Sequence, residues 1–261
     1  MAGVGATALL MAAARALETD RQGGLLSDPF ARQLASPQGF ELIDRGALGP
    51  IAANGSPLYV VRHRYFDEWL VGVTTDMGIR QVVLLAAGLD TRAFRLIWPD
   101  GTRVYEVDQP EVFRHKEAIL DAAGARPRCD RRVVATDLRE NWADTLVAAG
   151  FEPGDPSAWV AEGLLFYLPE SAVHQLLDET YRLAAPGSYL AADMMTATPG
   201  PPQQFIELFA SLGAPFEFRT DDPAALVGDH GWNGEHISMT EISDQLGVEL
   251  RSGPRVVIAR R

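Results

Sequence analysis

Five short apolar runs between residues 79 and 193 each stop at a glycine or an acid. Val82–Ala87 stops at Gly88. Thr102–Val107, which carries Glu106 near its end, stops at Asp108. Arg132–Thr136 stops at Asp137, Ala158–Ala161 at Glu162, and Ser188–Ala192 at Asp193. A run such as Val82-Val83-Leu84-Leu85-Ala86-Ala87 shows no polar alternation, so it needs cover on both faces. Helical patterns fall between runs. Pro110 suits a first turn, Val112, Ile119, Leu120 and Ala123 recur at helical spacing, and Gly124 suits the end. A second helix runs from about Glu170, with Val173, Leu176, Leu177, Tyr181 and Ala184 on one face, and Pro186-Gly187 closes it. The alternation predicts an α/β fold with a doubly wound, mostly parallel sheet and helices on both faces. Arg255–Ala259 reads as a short last strand.

Such sheets bind ligands beyond the carboxyl ends of their strands. The polar residues lie at those ends, and that pattern carries more weight than any one of them. Gly88 lets backbone approach a ligand closely, although a glycine there can also simply make the turn. The run Ala87-Gly88-Leu89-Asp90-Thr91-Arg92 lacks the three-glycine dinucleotide fingerprint, which counts against a pyrophosphate ligand and a nucleotide-dependent oxidoreductase. An acid about 20 residues after that glycine accepts hydrogen bonds from ribose hydroxyls, and either Glu106 or Asp108 can take this role. Asp137 is placed to meet an adenine amino group or to cap the following helix. An adenosyl ligand without pyrophosphate fits S-adenosylmethionine. Its carboxylate needs a cation, for which Arg15, Arg62 and Arg64 are candidates.

The chain resembles the leucine carboxyl methyltransferase-like family. Within that family it is most similar to actinobacterial methyltransferases and to tetracenomycin-type polyketide carboxyl O-methyltransferases. The likeness rests on ordered blocks: Thr7-Ala8-Leu9 with Ala14–Glu18, Asp28-Pro29-Phe30, Arg62–Asp67, Gln81–Arg95, Tyr105–Pro110, Asp137-Leu138-Arg139 and Trp159–Pro169. The resemblance implies a seven-stranded Rossmann-like methyltransferase domain over 1–261. Residues 1–78 would form an N-terminal helical lid, within which residues 6–18 read as a helix from their alanine and leucine content. Residues 79–193 would form the cofactor-binding core, and 194–261 the acceptor-pocket cover and last strands. By position, Arg62 matches the arginine that holds the cofactor carboxylate, and Arg15 a second basic residue from the lid. Gly88 matches the first-strand glycine, and Asp108 the ribose-side acid with Glu106 beside it. Asp137 and Leu138 match adenine contacts, and Glu162 the acid near the methionine amine. Tyr167 falls where the family lines the methyl-transfer site. Family members often run longer at the C-terminus, where the acceptor pocket is shaped.

Methyl transfer from a sulfonium needs mainly positioning and exclusion of water. A carboxylate acceptor requires no base, whereas a phenol, with a pKa near ~10, usually does. His63 and His115 are expected to face solvent or cap helices, and His174 to be exposed. One of His230 and His236 is a candidate for touching substrate, and the two have no further ligand at metal-binding spacing. The missing base favours the carboxylate of a small natural product. A protein C-terminal carboxylate and a natural-product hydroxyl are the alternatives. Phe205, Phe209, Phe216, Phe218 and Trp232 read as core or pocket wall, to which Tyr65 and Phe66 can add.

The formal charge of −12 argues against a nucleic-acid or anionic-membrane partner. Met1–Ala14 lacks the basic start of a signal peptide, and no run reaches the ~18 apolar residues that span a bilayer. Cys129 is the only cysteine, so no disulfide can form within the chain, as expected of a cytoplasmic protein, and nothing around it predicts reactivity.

Overall fold

A computed structural model describes residues 4–44, 57–198, 200, 202–250 and 252–261. Seven strands form one sheet: β1 (Gln81–Leu85), β2 (Arg103–Asp108), β3 (Asp130–Ala135), β4 (Ser157–Ala161), β5 (Tyr189–Met194), β6 (Asn233–Ser238) and β7 (Arg255–Arg260). Their order is β3-β2-β1-β4-β5-β7-β6. The first five strands run parallel, and β7 enters antiparallel to β5 and pairs antiparallel with β6.

The central runs are covered on both sides, as their lack of alternation requires. Successive side chains of a strand point to opposite faces. Val82, Leu84, Val104, Ala158 and Val160 join one core, and Val83, Leu85, Tyr105, Val107 and Trp159 join the other. The first core holds α3 (Pro57–Thr75) through Phe66 and Leu70, and α5 (Pro110–Ala122) through Val112 and Leu120. Outside these stand α1 (Val4–Asp20) and α2 (Ala31–Asp44), packed against each other. The second core holds α6 (Trp142–Ala148) through Leu146 and α7 (Glu170–Leu183) through Leu176 and Leu177. The remaining helices are the short α4 (Arg92–Arg95), α8 (Gln203–Ser211), α9 (Pro223–Asp229) and α10 (Met239–Gln245). None of the described helices is long and apolar enough to cross a membrane.

The N-terminal helix is longer than expected, Val4–Asp20 rather than 6–18. Strand β6 carries no signal in the sequence by itself. Its segment Asn-Gly-Glu-His-Ile-Ser is polar and lies at the sheet edge, so pairing with β7 and packing beneath it create the strand. Gly234 is needed there, because a Cβ would come within 2.9 Å of Ala259 Cβ and 3.0 Å of a Val227 methyl.

Between β1 and β4 the winding reverses, and a crevice opens at the strand tips. The turn after β1 is tight: Ala86 has φ 51 and Gly88 φ 54. A non-glycine residue in the left-handed region costs about 1–2 kcal/mol, and such backbone recurs at ligand sites.

Candidate active site

A cavity of about 420 Å³ lies over the tips of β1, β2 and β4. Helix α1 stands above it and presents Thr7, Ala8, Met11, Ala14 and Arg15, the residues that helical spacing puts on one face. Of the residues singled out by sequence, Arg15, Arg62, Gly88, Asp108, Asp137, Leu138, Glu162 and Tyr167 all line this cavity. Arg64 and Glu106 do not.

Arg64 sits two residues from Arg62 on α3, about 200° around the helix, so the two cannot share a face. It is half exposed, pairs with Glu68 and donates to the Leu25 carbonyl. Glu106 is fully buried one step inside the tip of β2, beneath α5. Lys116 Nζ lies 2.7 Å and Arg131 Nη2 2.6 Å from its Oε2. Of the two acids on β2, Asp108 reaches the cavity and Glu106 does not.

At the β1–β2 end, Asp108 is held by backbone. Its Oδ2 accepts from Gly88 N at 2.6 Å and its Oδ1 from Gln109 N at 2.7 Å. Burial, which outweighs these bonds, raises its pKa from the ordinary value. Asp137 accepts from Arg139, through both the backbone N–H and the guanidinium, which lowers its pKa. It does not cap the next helix, since α6 begins only at Trp142, after Asn141.

At the β4 end lies a network of ion pairs. Arg62 donates from Nε to Glu162 Oε1 (3.2 Å) and from Nη1 to Asp193 Oδ2 (3.0 Å). Gly163 lets the guanidinium lie on the main chain, for a Cβ there would come 3.1 Å from Arg62 Nη2. Arg92 is almost wholly buried and donates to Asp67 (2.6 Å), Asp90 (2.7 Å) and Glu162 (2.6 Å). Burial alone would raise the pKa of Glu162, but Arg92, His63 and Arg62 hold it well below the usual carboxylate range. Arg15 completes the wall, donating to Asp28 (2.9 Å) and to the Leu89 carbonyl (2.6 Å).

His63 does not face solvent. It is buried in this network, because α3 turns it inward with Arg62. Its Nε2 lies 2.7 Å from Arg95 Nη2. Its Nδ1 lies 2.9 Å from Arg92 Nη2 and 3.1 Å from Glu162 Oε1, so each ring nitrogen faces a guanidinium, which can only donate. Burial, and then Arg92, lower the pKa of His63, so the ring is neutral. His115 reaches the Leu34 carbonyl, and His174 is partly exposed. His230 is directed away from the cavity to His174 (2.8 Å) and Asp178 (2.6 Å), and His236 is exposed on β6.

The far wall is aromatic. Tyr167 stacks on Phe216 at 5.5 Å, and Phe216 on Phe205 at 5.6 Å, with Phe209 behind them. Burial raises the pKa of Tyr167 well above its ordinary value. Phe218 and Trp232 belong to the second core, Phe66 to the first, and Tyr65 is not part of the cavity wall. Burial pushes the Cys129 thiol up to about 12, consistent with an inert cysteine.

Sequence reasoning missed Tyr59, His63, Asp90, Arg92 and Asp193 as parts of this site. Asp193 carried the same signal as the others, an acid closing an apolar run. Arg92 carried a negative one, a large cation where a nucleotide fingerprint has a small residue.

Comparison with known proteins agrees with this architecture. The family model described as leucine carboxyl methyltransferase matches residues 8–181. A Parafrankia protein bearing the name of an S-adenosyl-L-methionine-dependent methyltransferase is 41% identical over 257 residues, spanning 94% of this chain and 82% of that protein. A similarly named Mycobacterium tuberculosis protein is 42% identical over 264 residues, spanning 94% and 85%. The crystal structure of a DUF574 family protein from Streptomyces avermitilis shares the fold, with a TM-score of 0.68 at 15% identity over 98% of this chain and 97% of that one. Cavity, sheet order and relatives converge: the chain belongs to the leucine carboxyl methyltransferase family and is an S-adenosyl-L-methionine-dependent methyltransferase.

Proposed function

We propose that the enzyme esterifies a carboxylate of a small-molecule acceptor. One observation carries this choice over a hydroxyl: among the described residues, no buried side chain at the β4 end of the cavity is free to take a proton. Tyr59 and Tyr167 are held in the protonated form by burial. His63 has both ring nitrogens engaged, and Glu162 is held by two guanidiniums and His63. Glu217, toward the same end, is exposed to solvent. A carboxylate acceptor is already ionised near neutral pH and needs no such base.

The residues present suit the cofactor. Each oxygen of Asp108 has one backbone donor and keeps acceptor capacity for a ribose diol. Asp137 and Leu138 line the same cavity and suit an adenine. Glu162 suits an ammonium. Among the described residues Arg62 Nη2 donates only to the Met11 sulfur, at 3.8 Å, and it is available to a carboxylate. When bound, the cofactor would supply an activated methyl group on a positively charged sulfur, with Asp108, Glu162 and Arg62 as the residues that would hold it. The protein orients the acceptor and excludes water, with α1 as roof and the Phe205–Phe216 wall as flank.

The test uses the chemistry of the product. Purified enzyme is incubated with methyl-labelled cofactor and a panel of aromatic and aliphatic acids and their matched alcohols. A labelled product that releases methanol in dilute alkali is an ester and supports the reading. An alkali-stable product is an ether and overturns it.

A further inference from the structure

We infer that Tyr59 recognises the acceptor, its hydroxyl donating to the carboxylate oxygen that does not receive the methyl group. This rests on the carboxylate reading above. Tyr59 stands in the first turn of α3, three residues before Arg62. Four buried side-chain polar atoms among the described residues have no hydrogen-bond partner: Tyr59 Oη, Glu106 Oε1, Arg131 Nε and Trp232 Nε1. Of these residues, Tyr59 alone lines the cavity. A buried hydroxyl left unpaired is costly, and a native chain keeps one where something outside the chain satisfies it.

The surroundings select the ligand. The Arg62 guanidinium lies 5.6 Å from the centroid of the Tyr59 ring. Burial, with Asp193 adding to it, raises the pKa of Tyr59, so the hydroxyl is a donor that keeps its proton. A hydroxyl donor gains about twice as much from an anionic acceptor as from a neutral one. Arg62 is already committed to Asp193 and Glu162 through two of its nitrogens, so its remaining nitrogen serves one carboxylate, that of the cofactor. A second carboxylate in the same cavity needs a second donor. Tyr167, near enough for the Tyr59 phenol to influence its ionisation, gives that end its stacked wall. A flat acid can lie on this wall with its carboxylate toward Tyr59.

The experiment is calorimetry on wild type and Tyr59→Phe, each saturated with S-adenosylhomocysteine, using 1-naphthoate and the same-shaped 1-naphthylmethanol as probes. The wild type is expected to prefer naphthoate. Tyr59→Phe should lose roughly tenfold or more of that affinity, the effect of one hydrogen bond to a charged group. It should lose less for the alcohol and nothing for S-adenosylhomocysteine. Its melting temperature should equal or exceed that of the wild type, because the substitution removes an unpaired buried hydroxyl. Unchanged naphthoate affinity with the preference intact overturns the role of Tyr59 and leaves the carboxylate reading standing. A fall in S-adenosylhomocysteine affinity assigns the hydroxyl to the cofactor and overturns the inference. A wild type that binds neither probe, or shows no preference, overturns the carboxylate reading and the inference with it.

Discussion

At the β1–β2 end of the cavity the polar groups answer to nearby backbone, and at the β4 end they answer to one another. Asp108 is fixed by the N–H groups of Gly88 and Gln109, both at strand tips. Asp137 is fixed by Arg139, two residues on. The β4 end is knit from α3, the turn after β1 and the tips of β4 and β5: Arg62 and Arg92 reach Glu162 across 100 and 70 residues of chain. A site held by backbone can lose a side chain without losing its shape. A site held by interlocking charges cannot, because each charge removed strands another in a medium of low dielectric.

The largest effect is therefore expected at Arg92. Arg92→Ala leaves Asp67, Asp90 and Glu162 short of a partner and should cost about 3–5 kcal/mol, a large share of an ordinary domain's stability. Urea denaturation measures it, and a loss below about 1 kcal/mol would break the contrast by showing the network to be slack. Next comes Asp108→Ala. It should weaken S-adenosylhomocysteine binding by about 1.5–3 kcal/mol in calorimetry while the unfolding midpoint moves less than for Arg92→Ala. Equal damage to binding by Glu106→Gln would instead return the ribose role to the buried acid.

His63 gives a smaller, pH-dependent effect. Its pKa is lowered in the folded protein, so the unfolded chain binds the proton more readily. Its contribution is complete above the unfolded value of about 6.5 and is lost as the pH falls below it, by up to about 1.4 kcal/mol per pH unit. Between pH 7 and 5 the urea midpoint of wild type should fall more steeply than that of His63→Asn; parallel curves would mean that the ring protonates in place. The smallest effect belongs to Arg64→Ala. Its pair with Glu68 is exposed and spaced i,i+4, worth about 0.3–0.5 kcal/mol. Cofactor affinity should not change, and a clear loss of binding would mean that α3 rotates to bring Arg64 inward.

The sequence determined the sheet and the acids at its strand tips. Apolar runs covered on both faces must pair in a sheet, and an acid closing such a run must emerge at its tip, so Asp108, Asp137 and Glu162 were legible as cavity residues. It did not determine which of two acids on one strand face emerges. Glu106 and Asp108 share a periodicity, and only the reach of Lys116 and Arg131 keeps one of them in the core. Nor did it determine that Arg62 and His63 turn inward while Arg64 turns out, because that depends on how α3 rolls against the sheet. The polar edge strand β6, the buried Arg92 and the unpaired Tyr59 hydroxyl were decided by tertiary structure alone. Local pattern records the period of an element, whereas the partner of a buried charge comes from a distant part of the chain, and only packing brings the two together.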